Sequence, residues 1–332
     1  MILFEALQTA PAETERSVVR QFTPWTNAGE NQPLLFVKPE VTQLGDSARP
    51  ALEVVEAVLA AWGCEIDGIS LLGPAYLQRH KLIEAHYGQI NTYSTRGLAA
   101  ISAEGREAVT EWLSSLGYAE LRVLGAHEYL EETPGLSSGE LLALQKHATQ
   151  SLKIAGGAYA AVIEYGDSRT AVINGFHPAQ LEHFYTASAP ILVATLRTTS
   201  NWRDLRRSMI GATDPTNAEM GSMRQRLFTD AVGLGLESVD GMRNCVHLSA
   251  GPLEAAIEIS RYFGNFEDSG AIDPIETNIG ALVVGALGRQ FLTDALSNKD
   301  LLVDGRAEPA FDLTEELNTD EAFRLLTSTY HT

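Results

Sequence analysis

The chain has 332 residues, 45% of them hydrophobic and 20% charged, a length of about two domains that can bury cores without disulfide staples. Lys and Arg total 24 against 43 Asp and Glu, a net charge of −19. That balance argues against a nucleic-acid binder, whose affinity rests on basic side chains at phosphates; a single nucleotide needs only a few local cations. No apolar run reaches the roughly 18 residues of a transmembrane helix. The opening MILFEALQTAPAETER has no basic leader, and Cys64 and Cys245 make neither a disulfide framework nor a zinc site. The expectation is a soluble cytoplasmic protein with no nucleic-acid or membrane partner.

Residues 1–32 read as an N-terminal arm. The first strand signal is the apolar run Pro33 to Lys38, closed by Pro39, which has no N–H for a ladder. A helix follows with Leu52, Val55, Val58 and Leu59 on one face and Gly63 at its C-terminal cap. Residues 65–72 read as a second strand, and Gly73-Pro74 turns the chain into a helix through Leu77, His80, Leu82, Ile83 and Tyr87. Residues 91–178 carry helical patterns near 104–116 and 138–154, then alternate over 158–176 like a hairpin around Gly166-Asp167-Ser168. That is too much structure for a loop, so the segment reads as an inserted α/β subdomain.

A helix near 179–187, a strand over 190–196, a short helix over 202–210 and a loop over 211–221 come next. A strand end at Asn244–His247 and a helix from Pro252 to Phe263 follow, and 267–332 form an acidic C-terminal extension with mixed helical segments. Joined across the insert, 33–90 and 179–266 give an α+β chain of the ferredoxin-like βαββαβ kind, an antiparallel sheet with helices on one face.

Four segments in this order, LLFVKPE (34–40), LIEAHYGQI (82–90), MIGATDPTNAEMGSMRQRL (209–227) and RNCVHLSAGPLEAAIEISRYF (243–263), resemble the nucleoside diphosphate kinases, and SAPILVATL (188–196) resembles that family's third strand. The resemblance spans roughly 33–90 and 180–266 and implies ping-pong phosphoryl transfer between nucleoside tri- and diphosphates. It places His247 at the phosphorylated histidine, a group that is a competent nucleophile when neutral, with an ordinary pKa of about 6.5. A lone histidine of this kind is more often a satisfied strand-end residue. Glu258 falls at the glutamate that orients the imidazole; read alone it would be an exposed helix carboxylate beside Arg261. Ser249 matches a serine near the histidine, or reads as a helix N-cap.

By the same resemblance Lys38, Arg207 and Arg224 meet phosphates, Thr213 the β-phosphate, and Asn244 the ribose and phosphate side. Tyr87 matches the tyrosine that reaches the histidine or phosphate; its alternative is a half-buried helix aromatic. Three cations in a chain of charge −19 make a local inversion suited to a polyanion. The family's Mg²⁺ rides on substrate phosphates and water, which implies no protein cage, and its homo-oligomers use the loop matching 211–224. Departures are Leu248 and Ala250, where glycine and aspartate are usual, Glu40 for aspartate, a longer Arg224–His247 stretch, and the insert just after Tyr87. The departures keep open a transferase with a non-standard acceptor, or a non-catalytic nucleotide-binding interaction protein.

Overall fold

The computed structural model describes residues 1–9, 15–303 and 306–329. The chain divides into two compact units, Met1–His80 with Ala187–Thr332, and Lys81–Thr186. The second unit starts before and ends after the 91–178 drawn from the sequence. The N-terminal arm and the C-terminal extension belong to the first unit.

The first unit is built on five antiparallel strands: β1 (Arg16–Arg20), β2 (Leu34–Val37), β3 (Glu65–Leu72), β4 (Ile191–Arg197) and β5 (Val246–Leu248), in the order β1-β3-β4-β2-β5. Without β1 this is the ferredoxin-like strand order. Alternation along the strands splits the core. Leu35, Val37, Ile69, Leu71, Leu192 and Ala194 pack with Leu52, Val55 and Leu59 of a helix over Arg49–Ala61, and with Leu205, Met209 and Leu227 of the segment linking β4 to β5. The opposite phase of β2 carries Phe36, whose ring meets Tyr262 at 5.9 Å. Tyr262 ends a helix over Pro252–Tyr262, here called αN because it follows the candidate nucleophile's strand.

Local chemistry explains the boundaries. Pro39 ends β2 and, with its fixed φ, opens a one-turn helix over Pro39–Thr42. Gly63, at φ 62°, ends the Arg49–Ala61 helix, and Cys64 N–H then donates to Leu59 C=O at 2.9 Å.

Several expectations are corrected. The arm is structured: a helix over Ile2–Gln8 buries Leu3, Phe4, Ala6 and Leu7, and β1 pairs with β3. The helix expected through Tyr87 is broken at Lys81, whose φ of 51° cannot continue a right-handed ladder, leaving Pro74–Arg79, Leu82–His86 and Gly88–Arg96. The helix expected over 138–154 stops at His147 and the chain enters a strand at Ser151–Ala155. The stretch 202–210 starts as one α-turn and widens into a π-turn over Leu205–Ile210. The extension contains a hairpin, Asp300–Val303 with Arg306–Pro309, besides its helices. Its Ile279, Val283, Leu292, Ala310 and Leu326 form a core with Leu253 and Ala256 of αN.

The second unit is a four-stranded sheet. Ala158–Tyr165 and Ser168–Ile173 form the expected hairpin about Gly166-Asp167; Ser151–Ala155 flanks it on one side and Val123–Gly125, in parallel, on the other. Among the described residues no helix is long and apolar enough to cross a membrane.

Candidate active site

His247 sits in the middle of β5, directly opposite Phe36 of β2. Cross-strand pairing brings the two rings into a stack, centroids 4.6 Å apart and 22° from parallel. Two residues earlier Cys245 adopts φ 68°, a left-handed conformation that costs a non-glycine residue of order 1–3 kcal/mol. Its neighbours over-determine it: Cys245 N–H donates to Glu40 Oε1 at 2.6 Å, and its C=O accepts from Lys38 N–H at 2.8 Å. The short helix begun by Pro39 places the buried Glu40 there.

Glu258 lies two turns into αN. Its Oε1 is 2.9 Å from His247 Nε2, and its Oε2 accepts from Ser249 O–H at 2.5 Å. The same hydroxyl accepts from Leu34 N–H at 3.0 Å. Ser249 is therefore not the helix N-cap, which is Gly251, and Glu258 faces the histidine and the serine. In the neutral tautomer whose Nε2–H donates to this carboxylate, the ring's lone pair lies on Nδ1. A carboxylate that is held by a hydroxyl and faces an imidazole is an arrangement that can orient a catalytic histidine.

The expected phosphate ligands occupy the segments around β5. Lys38 is buried, its Nζ donating to Met242 C=O at 3.1 Å. Burial lowers its pKa to about 8, opposed by Glu40, with Arg224 pushing the same way as burial. Arg224 spans two backbone segments, donating from Nη1 to Gly211 C=O and from Nη2 to Val246 C=O, each at 2.9 Å. Asn244 donates to Thr213 C=O at 2.9 Å, while its buried Oδ1 has no hydrogen-bond partner among the described residues. Thr213 is itself exposed. Arg207 is exposed on the π-turn, which packs against β5. The structure thus joins His247, Glu258 and Ser249 directly, and links Lys38, Arg224, Asn244 and Thr213 through backbone around that strand.

Residues 174–267 match the family model described as Nucleoside diphosphate kinase. Among solved structures, the chain is similar to an NDP kinase from Pyrobaculum aerophilum at 15% identity, over 73% of this chain and 99% of that one, with a TM-score of 0.35. It is similar to the Aquifex aeolicus nucleoside diphosphate kinase at 13% identity, over 72% and 99%, with a TM-score of 0.31. No curated protein matches.

The matched segment contains Arg207, Thr213, Arg224, Asn244, His247, Ser249 and Glu258; Lys38 and Tyr87 precede it. Tyr87 lies in the second unit, half-buried at the C-terminus of the Leu82–His86 helix, where its N–H donates to Ile83 C=O at 2.9 Å. Three contributors escaped the sequence reading. Phe36 stacks on the imidazole, Glu40 fixes the Cys245 kink, and Trp202 donates its indole N–H to Ser249 C=O at 3.0 Å. Only Glu40 left a local trace, as an unusual residue after Lys38-Pro39.

One turn before Glu258, Glu254 is half-buried, and its buried Oε2 has no hydrogen-bond partner among the described residues. Burial, then the charges of Glu258 and Glu315, push its pKa up to about 8, against Arg206. The folded protein therefore holds a proton that the unfolded chain releases above about pH 4.5. The stability this gives is complete below that pH and lost as pH rises through 8. Glu254→Gln, which mimics the protonated form, is expected to raise unfolding free energy by about 1–3 kcal/mol at pH 8 and to leave it unchanged at pH 4. Denaturant titrations at the two pH values decide this; an equal effect at both would contradict it.

Proposed function

We propose that this protein is a nucleoside diphosphate kinase-like phosphotransferase, moving the γ-phosphate of a nucleoside triphosphate to a nucleoside diphosphate through a phosphohistidine at His247. The observation that carries the reading is the bonded set His247–Glu258–Ser249, joining β5 to αN, with Lys38 directly after β2 and Arg224 of the Met223–Thr229 helix bonded to β5. In the first half-reaction His247 Nδ1 attacks the γ-phosphorus. The N–P bond forms as the bond to the β,γ-bridging oxygen breaks, and the diphosphate leaves with that electron pair. Glu258 accepts from Nε2–H throughout and offsets the positive charge the ring acquires, as Ser249 holds the carboxylate in place. The second half-reaction reverses these events with a different diphosphate as acceptor.

Phosphoryl transfer asks mainly for position and for cations around the moving charge. Arg207, exposed and in no hydrogen bond or ion pair among the described residues, would take phosphate oxygens with its planar fork. Lys38 and Arg224 add positive potential beside β5, and Thr213 and Asn244 meet the phosphate and ribose side. Glu258 has both oxygens committed, so Mg²⁺ enters as part of the substrate, held by the phosphates and water. We place the enzyme in the cytoplasm as a homo-oligomer, with the 211–224 loop, whose Met220 is 94% exposed, at the interface between copies.

The test is phosphoenzyme formation. Wild-type protein mixed with γ-labelled ATP and Mg²⁺ is expected to take up label that is lost in acid, kept in alkali, and chased onto nucleoside diphosphates. Label that no diphosphate removes would point to a non-standard acceptor. Nucleotide binding without label would leave a binding protein and overturn the reading.

A further inference from the structure

We propose that the C-terminal segment Thr314–Asn318 is a working part of the transfer site, a strap that fixes both the loop behind the nucleophile and the arginine-bearing π-turn, with Glu315 as its positioning residue. The proposal rests on the phosphotransfer reading above.

The strap grips the loop between β5 and αN through backbone. Glu316 N–H donates to Ala250 C=O at 2.9 Å. A Cβ on Gly251 would lie 2.6 Å from Thr314 C=O, so only glycine admits the strap this close to the start of αN. Asn318 then accepts Trp202 N–H at 2.9 Å, and the same Trp202 holds Ser249 C=O from the other side. Ser249 and Glu258, the groups that orient His247, are thus both attached to segments the strap touches.

It grips the π-turn through charge. Arg206 Nη1 pairs with Glu315 Oε1 and lies 4.0 Å from Glu316 Oε1, and Arg203 Nε is 3.5 Å from Glu316 Oε2. Arg207 is the next residue. A π-turn is a wide, rarely used turn, and such turns concentrate at functional sites. Successive side chains on it diverge by roughly a quarter turn, so pinning Arg206 to the strap sets the direction in which Arg207 leaves the turn. The pair is 30% and 47% exposed; solvent-exposed pairs add little to stability. Positioning of Arg207 is the function left for it.

The experiment compares wild type, Glu315→Arg, Arg206→Glu and the exchanged double variant in single-turnover labelling with γ-labelled ATP and Mg²⁺, alongside thermal unfolding. Each single reversal is expected to raise the half-saturating ATP concentration about tenfold with a smaller change in the rate at saturation, because Arg207 serves phosphate capture. The exchange is expected to recover most of that loss, with Tm within about 2 °C throughout. Reversals that label like the wild type would overturn the proposal. So would a loss that tracks a falling Tm and is not recovered by the exchange, which makes the strap structural only. A wild type that never labels brings down the phosphotransfer reading and this proposal together, an outcome distinct from the other two.

Discussion

His247→Ala is expected to abolish phosphoenzyme formation, a loss of at least about a thousandfold in the rate of labelling. The methyl group offers no lone pair, and nothing else in the set can accept the phosphoryl group in its place: Glu258 is committed to orienting, and the Ser249 hydroxyl lies behind it, bonded to the carboxylate and to β2. The same substitution removes a ring stacked on Phe36 and leaves the buried Glu258 one donor short, a cost of about 1–3 kcal/mol. His247→Gln separates the two effects, because its amide can still donate to Glu258 while lacking a nucleophilic nitrogen. Both variants are expected to be unlabelled, with the glutamine form the more stable in denaturant titration. Residual acid-labile label on either would move the phosphorylated residue elsewhere.

Trp202→Ala is expected to carry the largest stability cost, about 3–5 kcal/mol. Trp202 is among the largest fully buried side chains, its indole N–H bonded to Ser249 C=O and its backbone N–H to Asn318. Truncation leaves a cavity, an unpaired buried carbonyl and a loosened strap in one step. The melting transition of the first unit should fall by roughly 10 °C. Trp202→Phe keeps most of the volume and loses only the hydrogen bond, so it should cost about 1 kcal/mol. A Trp202→Ala protein that melts within 2 °C of the wild type would refute this account of how the loop after β5 is anchored.

Elements governed by neighbours three or four residues away were legible. The β2 run closed by Pro39, the amphipathic 49–61 helix ended by Gly63, the 65–72 strand and the 158–173 hairpin about Gly166-Asp167 all stand where periodicity and turn chemistry placed them. The misreadings have a common cause. Ser151–Ala155 is a strand because it pairs with Ala158–Ala161, a partner invisible from its own short pattern. At Lys81 a residue with no turn preference takes a left-handed conformation and ends a helix that apolar spacing would have continued. The arm holds a helix and a strand because a distant sheet edge and core accept them.

The sequence by itself determined which chemical groups this chain has and, through the family pattern, which of them to gather: a histidine, a glutamate eleven residues on, a serine between them, and a few cations in an acidic chain. Only the tertiary structure decided what each one touches. Ser249 could have capped a helix or held Glu258; the pairing of β5 with β2 settles it, by setting Leu34 N–H against the hydroxyl. Phe36 and His247 are partners only because two strands some two hundred residues apart share a register. Glu40 becomes the support of a left-handed Cys245, and the extension reaches the loop after β5 at Ala250 and Gly251. Local propensity acts over a turn or two of chain, whereas these contacts depend on where sheet formation and core burial bring remote segments to rest.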